Sequence, residues 1–163
     1  VAGGVAGRCT RRCAVRARAA AAPLMAVCYF DTSALVKLCV AEPGSELAAA
    51  LWEGADLVAT SRLADAEVRA LLAGGRRAGV IDTRVERAAL AQWDRLWPAL
   101  HVVELHEPVT AGAATLVGYH ALRAADALHL ASALALRSDE LVVVACDEHV
   151  VAAARAEGLR VVP

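Results

Sequence analysis

The sequence predicts an α/β fold in which helices cover both faces of a parallel sheet, and three features carry that expectation. Short apolar runs recur between longer Ala- and Leu-rich segments whose apolar residues follow helical spacing. The short runs are continuously apolar instead of alternating, as strands buried on both faces must be. With 163 residues and 58% apolar content, the chain suffices for one domain with a proper core and is too short for two.

Taken in order, "AVCYF" (26–30), "DLVAT" (56–60), "HVVEL" (101–105), "LVVVAC" (141–146) and "RVV" (160–162) read as strands, being brief, β-branched and bounded by charge or turn residues. Helical periodicity covers "TSALVKLCV" (32–40), "GSELAAALWEGA" (44–55), "SRLADAEVRALLAGG" (61–75) and "DTRVERAALAQWDRLWPAL" (82–100). It returns in "PVTAGAATLVGYHAL" (108–122), "AADALHLASALALR" (124–137) and "EHVVAAARAEGL" (148–159). "LLAGGRRAGVID" (71–82) reads as a glycine-broken turn between two helices. Trp52, Trp93 and Trp97 fall at helical spacings, which assigns them to packing before base stacking.

The overall charge of −1 hides an asymmetry. Five of the 17 basic side chains (Arg8, Arg11, Arg12, Arg16, Arg18) lie in the first 24 residues, which hold no acid. The other 12 face 18 acids from residue 25 onward, a net of −6, so this part cannot hold a polyanion by charge alone and needs a cation to do so. Residues 1–24 read as a disordered leader, and the domain as residues 25–163. Five cysteines (9, 13, 28, 39 and 146) form no paired zinc pattern and no secreted disulfide framework, which fits a reducing cytoplasm. No uncharged run approaches the roughly 18 residues of a membrane helix.

Open parallel sheets gather ligands outside the carboxyl ends of their strands. Asp31 stands at that end of the first run, and Asp147 directly after the fourth. Each also fits a helix N-cap, where Asp accepts the orphan N–H groups of a first turn. Two at one sheet edge weaken that simpler reading. Glu67 lies four residues after Leu63 and four before Leu71, on the apolar stripe and well inside its expected helix. A carboxylate buried there must be paired, protonated or metal-bound. Asp126 repeats the arrangement between Leu122 and Leu130, with a first-turn acid favoured by the helix dipole as its alternative. The four supply only hard oxygens, which suit Mg²⁺ or Mn²⁺ over zinc. Pairing of all four with Lys37 and the arginines is disfavoured, because the domain has fewer bases than acids.

The segments holding these acids resemble those of the PIN-domain ribonucleases, and within them the VapC kind of toxin from type II toxin–antitoxin modules. "FDTSALVKL" with the following "EPGSE" is similar to that family's opening motif, and "SRLADAEVRALL" to its second-acid helix. "RAADALHLASAL" is similar to the third-acid segment, and "VVVACDEHVVAAARAEGLRVV" to the fourth acid and closing strand. The resemblance spans Ala26 to Pro163 and implies a three-layer α/β/α domain with a central, mostly parallel sheet of about five strands. It implies Mg²⁺- or Mn²⁺-dependent endonucleolytic cleavage of RNA at Asp31, Glu67, Asp126 and Asp147. Asp31 and Asp126 would be direct ligands, Glu67 a water-mediated ligand or base, and Asp147 a ligand at a second metal position or in the outer shell. Ser33 would steady Asp31 or touch the metal shell. A VapB-like antitoxin and a homodimer are implied as partners. One departure is Ala145, where many relatives carry Thr or Ser two residues before the last acid. His129, one turn beyond Asp126, reads as a helix-packing residue.

Arg76 and Arg77 are expected on an exposed turn, and with Arg62, Arg69 and Arg123 are candidates for contacts to RNA phosphates. Two other classes compete with the nuclease. One is a PIN-fold binding protein without catalysis that partners an antitoxin. The other, an aspartyl-phosphate domain, conflicts with "FDTS", which lacks a second acid two residues on.

Overall fold

A computed structural model describes residues 26–163. The leader assigned to residues 1–24, with Cys9 and Cys13, and the domain's expected first residue, Met25, lie outside the described residues. Five strands, β1 (Val27–Phe30), β2 (Leu57–Ser61), β3 (His101–Val103), β4 (Leu141–Val144) and β5 (Arg160–Val162), pair in the order β3-β2-β1-β4-β5. Every neighbouring pair is parallel. The strand order reverses direction between β1 and β4, and such a switch point opens a crevice at the strands' carboxyl ends.

The helices are α1 (Thr32–Val36), α2 (Ser45–Gly54), α3 (Ala64–Arg77), α4 (Thr83–Leu96), α5 (Glu107–Tyr119), α6 (Ala124–Ala135) and α7 (Glu148–Ala156). Side-chain alternation along β1 assigns them to two layers. Cys28 and Phe30 point to a core filled by Leu35, Val68, Leu72 and Trp93, from α1, α3 and α4. Val27 and Tyr29 point to the opposite core, with Ala133 of α6 and Val150 and Val151 of α7. A further cluster joins α5 to α6 through Val109, Leu116 and Leu130. The result is the three-layer α/β/α arrangement, with all strands parallel. Among the described residues no helix is long and apolar enough to cross a membrane.

The tryptophans pack as their spacing implies. Trp93 is fully buried and tilts against Trp97 at 5.3 Å between ring centroids, while Trp52 meets Phe30 edge-on at 6.0 Å. The Trp93 indole donates to Asp65 Oδ1 at 2.8 Å, which ties α4 to α3.

Several boundaries differ from the sequence reading. Helix α1 ends at Val36 instead of running to residue 40, and β3 ends at Val103. The glycine pair at 74 and 75 does not break the chain: α3 runs through it to Arg77, and Gly79, at φ +73°, makes the reversal. Arg76 therefore closes a helix and pairs with Glu86 of α4 at 2.6 Å. The start of α3 matters most for function. It lies at Ala64, three residues later than expected, so Glu67 occupies the first turn and not the helix interior.

Candidate active site

Four carboxylates reach one cleft from four different places in the fold. Asp31 follows β1, Glu67 comes from the first turn of α3, Asp126 from the first turn of α6, and Asp147 follows the loop after β4. The cleft, about 430 Å³, is lined by these four with Ser33 and Arg123, among other residues. Two loops meet at its base across the switch point. The Asp31 amide donates to Val144 O at 2.9 Å, and the Cys146 amide to Ser33 Oγ at 3.1 Å.

Asp31 and Asp147 are also helix caps, and the capping is what orients them. Both have extended backbone, with φ −71° and ψ 160° at Asp31 and φ −76° and ψ 125° at Asp147, the geometry of an N-cap. Asp31 Oδ2 accepts from the Ser33 hydroxyl at 2.8 Å and from its amide at 3.4 Å. Asp147 Oδ1 accepts from the amides of His149 at 2.8 Å and Val150 at 3.3 Å. In each case one oxygen is fixed by the protein. The other makes no hydrogen bond among the described residues.

Glu67 is held in the same one-sided way. The Thr32 hydroxyl donates to Oε2 at 2.5 Å, and His129 Nε2 lies 2.7 Å from that oxygen. Burial pushes the Glu67 carboxyl up, but the hydrogen bonds from His129 and Thr32, with the charge His129 carries when protonated and the nearby Arg123 charge, outweigh it and hold the group below its ordinary value. His129 is itself buried at 2% exposure, with Nδ1 2.9 Å from the Tyr29 hydroxyl. Burial, with the Asp31 charge, pushes Tyr29 far up, so it stays a neutral phenol.

Asp126 combines both of its expected roles. It lies in the first turn of α6, where Oδ2 accepts from the Arg123 backbone amide at 3.3 Å, and its side chain faces the cleft. Arg123 Nε also reaches Asp126 Oδ2 at 2.9 Å, and Arg123 Nη2 lies 3.6 Å from Asp147 Oδ2. The guanidinium, 78% exposed, thus spans two of the four acids.

The set of hard oxygens suits a small divalent cation, and lone pairs for one lie on Glu67 Oε1, on Asp31 Oδ1, 3.6 Å from His129 Nδ1, and on Asp147 Oδ2, 3.6 Å from Arg123 Nη2. As placed, no three acidic, His or Cys side chains among the described residues are gathered tightly enough to hold an ion. A larger groove of about 710 Å³ runs along α5 and the end of α6. Its one carboxylate, Glu157, pairs with His120 at 2.7 Å, so it offers no comparable constellation.

Sequence reasoning missed Thr32 and Tyr29, and took His129 for a packing residue. The imidazole is buried as expected, yet both nitrogens face polar partners. The available signals were spacing: His129 is three residues after Asp126 on one helical face, and Tyr29 alternates with Cys28 and Phe30. Most of the arginines proposed for phosphate contact are engaged by acids. Arg62 pairs with Glu104 and lies over Trp97, Arg69 bridges Asp65 and Asp94, and Arg76 pairs with Glu86.

Comparison with known proteins identifies the family and the fold. The PIN domain family model matches residues 28–161. Ribonucleases VapC45 and VapC49 of Mycobacterium tuberculosis (strains CDC 1551 / Oshkosh and ATCC 25618 / H37Rv) are each 46% identical over 139 residues, 85% of this chain and 96% of theirs. Among solved structures, FitAcB from Neisseria gonorrhoeae superposes with a TM-score of 0.63 at 20% identity, covering 83% of this chain and 96% of that one. Mycobacterium tuberculosis VapC20, a Sarcin-Ricin loop cleaving toxin, gives 0.60 at 23% identity, covering 77% and 94%. VapBC-5 of the same organism, a member of the VapBC family of toxin-antitoxin systems, gives 0.56 at 20% identity, covering 84% and 98%. These structures share the fold. With the matched domain and the 46% identity over most of its length, the chain belongs to the PIN-domain family, in its VapC group.

Proposed function

We propose that this protein is a Mg²⁺- or Mn²⁺-dependent endoribonuclease, the toxin of a toxin–antitoxin pair, whose site consists of Asp31, Glu67, Asp126 and Asp147. The observation that carries this reading is the convergence of four carboxylates, from four elements, on one cleft at the carboxyl edge of a parallel sheet. The names of the relatives, ribonucleases VapC45 and VapC49, support the reaction class. Neighbours described as toxin–antitoxin assemblies support a VapB-like antitoxin partner. A homodimer and an intracellular site of action belong to the same reading.

A divalent ion bound here would offset the phosphate charge and lower the pKa of a bound water for in-line attack. The chain's own residues prepare the place. Ser33 and the α1 amide fix one oxygen of Asp31, and the α7 amides fix one oxygen of Asp147, so each presents its second oxygen with little freedom to turn. Glu67, on a half-buried wall, accepts a proton or orients a water from Oε1. Arg123 stands at the cleft, exposed enough to leave the acids for an RNA phosphate.

The test is cleavage of total RNA by the full chain with Mg²⁺, with EDTA, and with Asp31→Asn. Asparagine still caps a helix, so the variant keeps its fold while losing a charged ligand. The expected result is discrete fragments that require the metal and fall, in the variant, by more than the roughly tenfold to hundredfold that outer-shell changes cost. Folded, metal-saturated protein that cuts no RNA would instead leave a binding protein that partners an antitoxin.

A further inference from the structure

We propose that His129 is a positioning residue for Glu67, holding Oε2 through its Nε2–H while Tyr29 orients the ring through Nδ1, so that Glu67 presents only Oε1 to the cleft. This rests on the reading of the cleft as a metal centre.

The proton positions follow from the donor inventory. A carboxylate only accepts, so the 2.7 Å contact between His129 Nε2 and Glu67 Oε2 requires a hydrogen on Nε2. Thr32 uses its single hydroxyl hydrogen on the same oxygen at 2.5 Å, and its 3.0 Å contact to Nε2 is then one in which it can only accept. Nδ1 of the neutral ring is left as an acceptor. The hydroxyl facing it, 2.9 Å away, belongs to the buried Tyr29, which has one hydrogen to donate.

The chain of donors therefore runs one way, from Tyr29 to His129 to Glu67. Reversing it would put a hydrogen on Nδ1, which lies 3.6 Å from Asp31 Oδ1, but would leave the Nε2 lone pair against the much nearer Glu67 carboxylate at 2.7 Å. Its members come from three elements, β1, α6 and α3, and the Tyr29 and His129 rings lock edge to face at 75°. Both donors to Glu67 converge on Oε2, and Oε1 has no hydrogen bond among the described residues. A carboxylate held by one oxygen offers the other as a single-point ligand or base, and cannot swing to bind through both.

The test uses the full chain with ¹⁵N-labelled histidine, free of metal and at a pH where the imidazole is neutral. The expected spectrum for His129 has a protonated Nε2 and an unprotonated, hydrogen-bonded Nδ1. Tyr29→Phe, which keeps the ring and the packing, leaves Nε2 protonated against Glu67 and removes the hydrogen-bond shift of Nδ1, whereas Glu67→Ala, which takes away the acceptor at Nε2, mixes the tautomers. Mn²⁺ affinity, read by electron paramagnetic resonance, falls about tenfold in Tyr29→Phe and in His129→Ala, as loss of a ligand-orienting partner does. His129→Gln, which retains an N–H near Nε2, recovers most of it. In a Glu67→Ala background, His129→Ala costs nothing more, and in RNA cleavage kcat falls with KM unchanged.

An Nδ1–H ring in the wild type, or full additivity of the His129 and Glu67 effects, overturns the proposal. Wild-type protein that binds no Mn²⁺ and cuts no RNA overturns the metal-centre reading instead. The tautomer spectrum and its response to Tyr29→Phe then decide the hydrogen-bond chain on their own.

Discussion

At Asp31, Oδ2 takes the amide and hydroxyl of Ser33, which leaves Oδ1 for the cleft; Asp147 divides its oxygens in the same manner. The choice between helix cap and functional acid, which a sequence presents as exclusive, dissolves because a carboxylate has two oxygens. Arg123 is the group that answers their charge. It spans Asp126 and Asp147 while 78% exposed, so its contacts are screened by water and add little to folding. Replacing it should leave the melting temperature unchanged and, by removing a competing cation, tighten Mn²⁺ binding severalfold. A thermal scan and Mn²⁺ titration calorimetry on Arg123→Gln check the two, and an unchanged affinity would mean that the guanidinium does not compete. Thiol chemistry separates two other residues. Burial pushes Cys39 up to about 11, so at neutral pH it is a poorly reactive thiol, and its thiolate appears only as the pH climbs toward that value. Cys146 lies exposed beside Asp147. Peptide mapping after alkylation at neutral pH should find Cys146 modified and Cys39 spared, with Cys39 labelling rising as the pH is raised. The acids were legible because strand ends and helical spacing reveal carboxylates. Their hydrogen-bond donors were not, because Tyr29, Thr32 and His129 meet only when β1, α1 and α6 are packed.

Among the elements, the α3–α4 corner was the least legible. A Gly-Gly pair suggests a break, yet both glycines lie inside α3, since a helix tolerates the backbone cost when its faces are packed. The chain turns at Gly79 instead, because there φ is +73°. A Cβ at that residue would meet nothing within 4 Å, so Gly79→Ala isolates the backbone term. It should cost about 1 to 2 kcal/mol in urea denaturation, the penalty of left-handed geometry for an L side chain. On the far side of the corner, Asp82 caps α4 by accepting from the Val85 amide at 2.8 Å, and it does not line the cleft. Asp82→Ala should cost about 1 kcal/mol and leave RNA cleavage intact. Lost cleavage in that variant would tie the corner to the site. The late start of α3 follows the same logic. Spacing around Glu67 predicts which face it takes, but the first hydrogen-bonded turn depends on how the chain leaves β2, where the Arg62 amide donates to Val103 O.

For the whole molecule, one thin sheet separates two cores, and this governs how it unfolds. Leu72 of α3 and Leu130 of α6, each 2% exposed, belong to cores on opposite faces. The strands lie between them, with β1 contributing alternate side chains to the two sides, and the His129 contacts to Glu67 and Thr32 join the layers at the cleft. A strand cannot lose its support on one face and remain a strand on the other, because its backbone hydrogen bonds serve both. Leu72→Ala and Leu130→Ala should therefore each lower a single unfolding transition, by about 2 to 5 kcal/mol. The two costs should add in the double variant, since distant sites without shared partners do so within a few tenths. Tryptophan fluorescence reports the first face, through Trp93, and the methyl resonances of the buried Val150 report the second. Coincident urea transitions by both probes, in the wild type and both variants, are expected of one cooperative unit. Separate midpoints would mean that the layers fail independently. The carboxylates, drawn from α3 on one side and α6 on the other, would then lose their common geometry before either half unfolds.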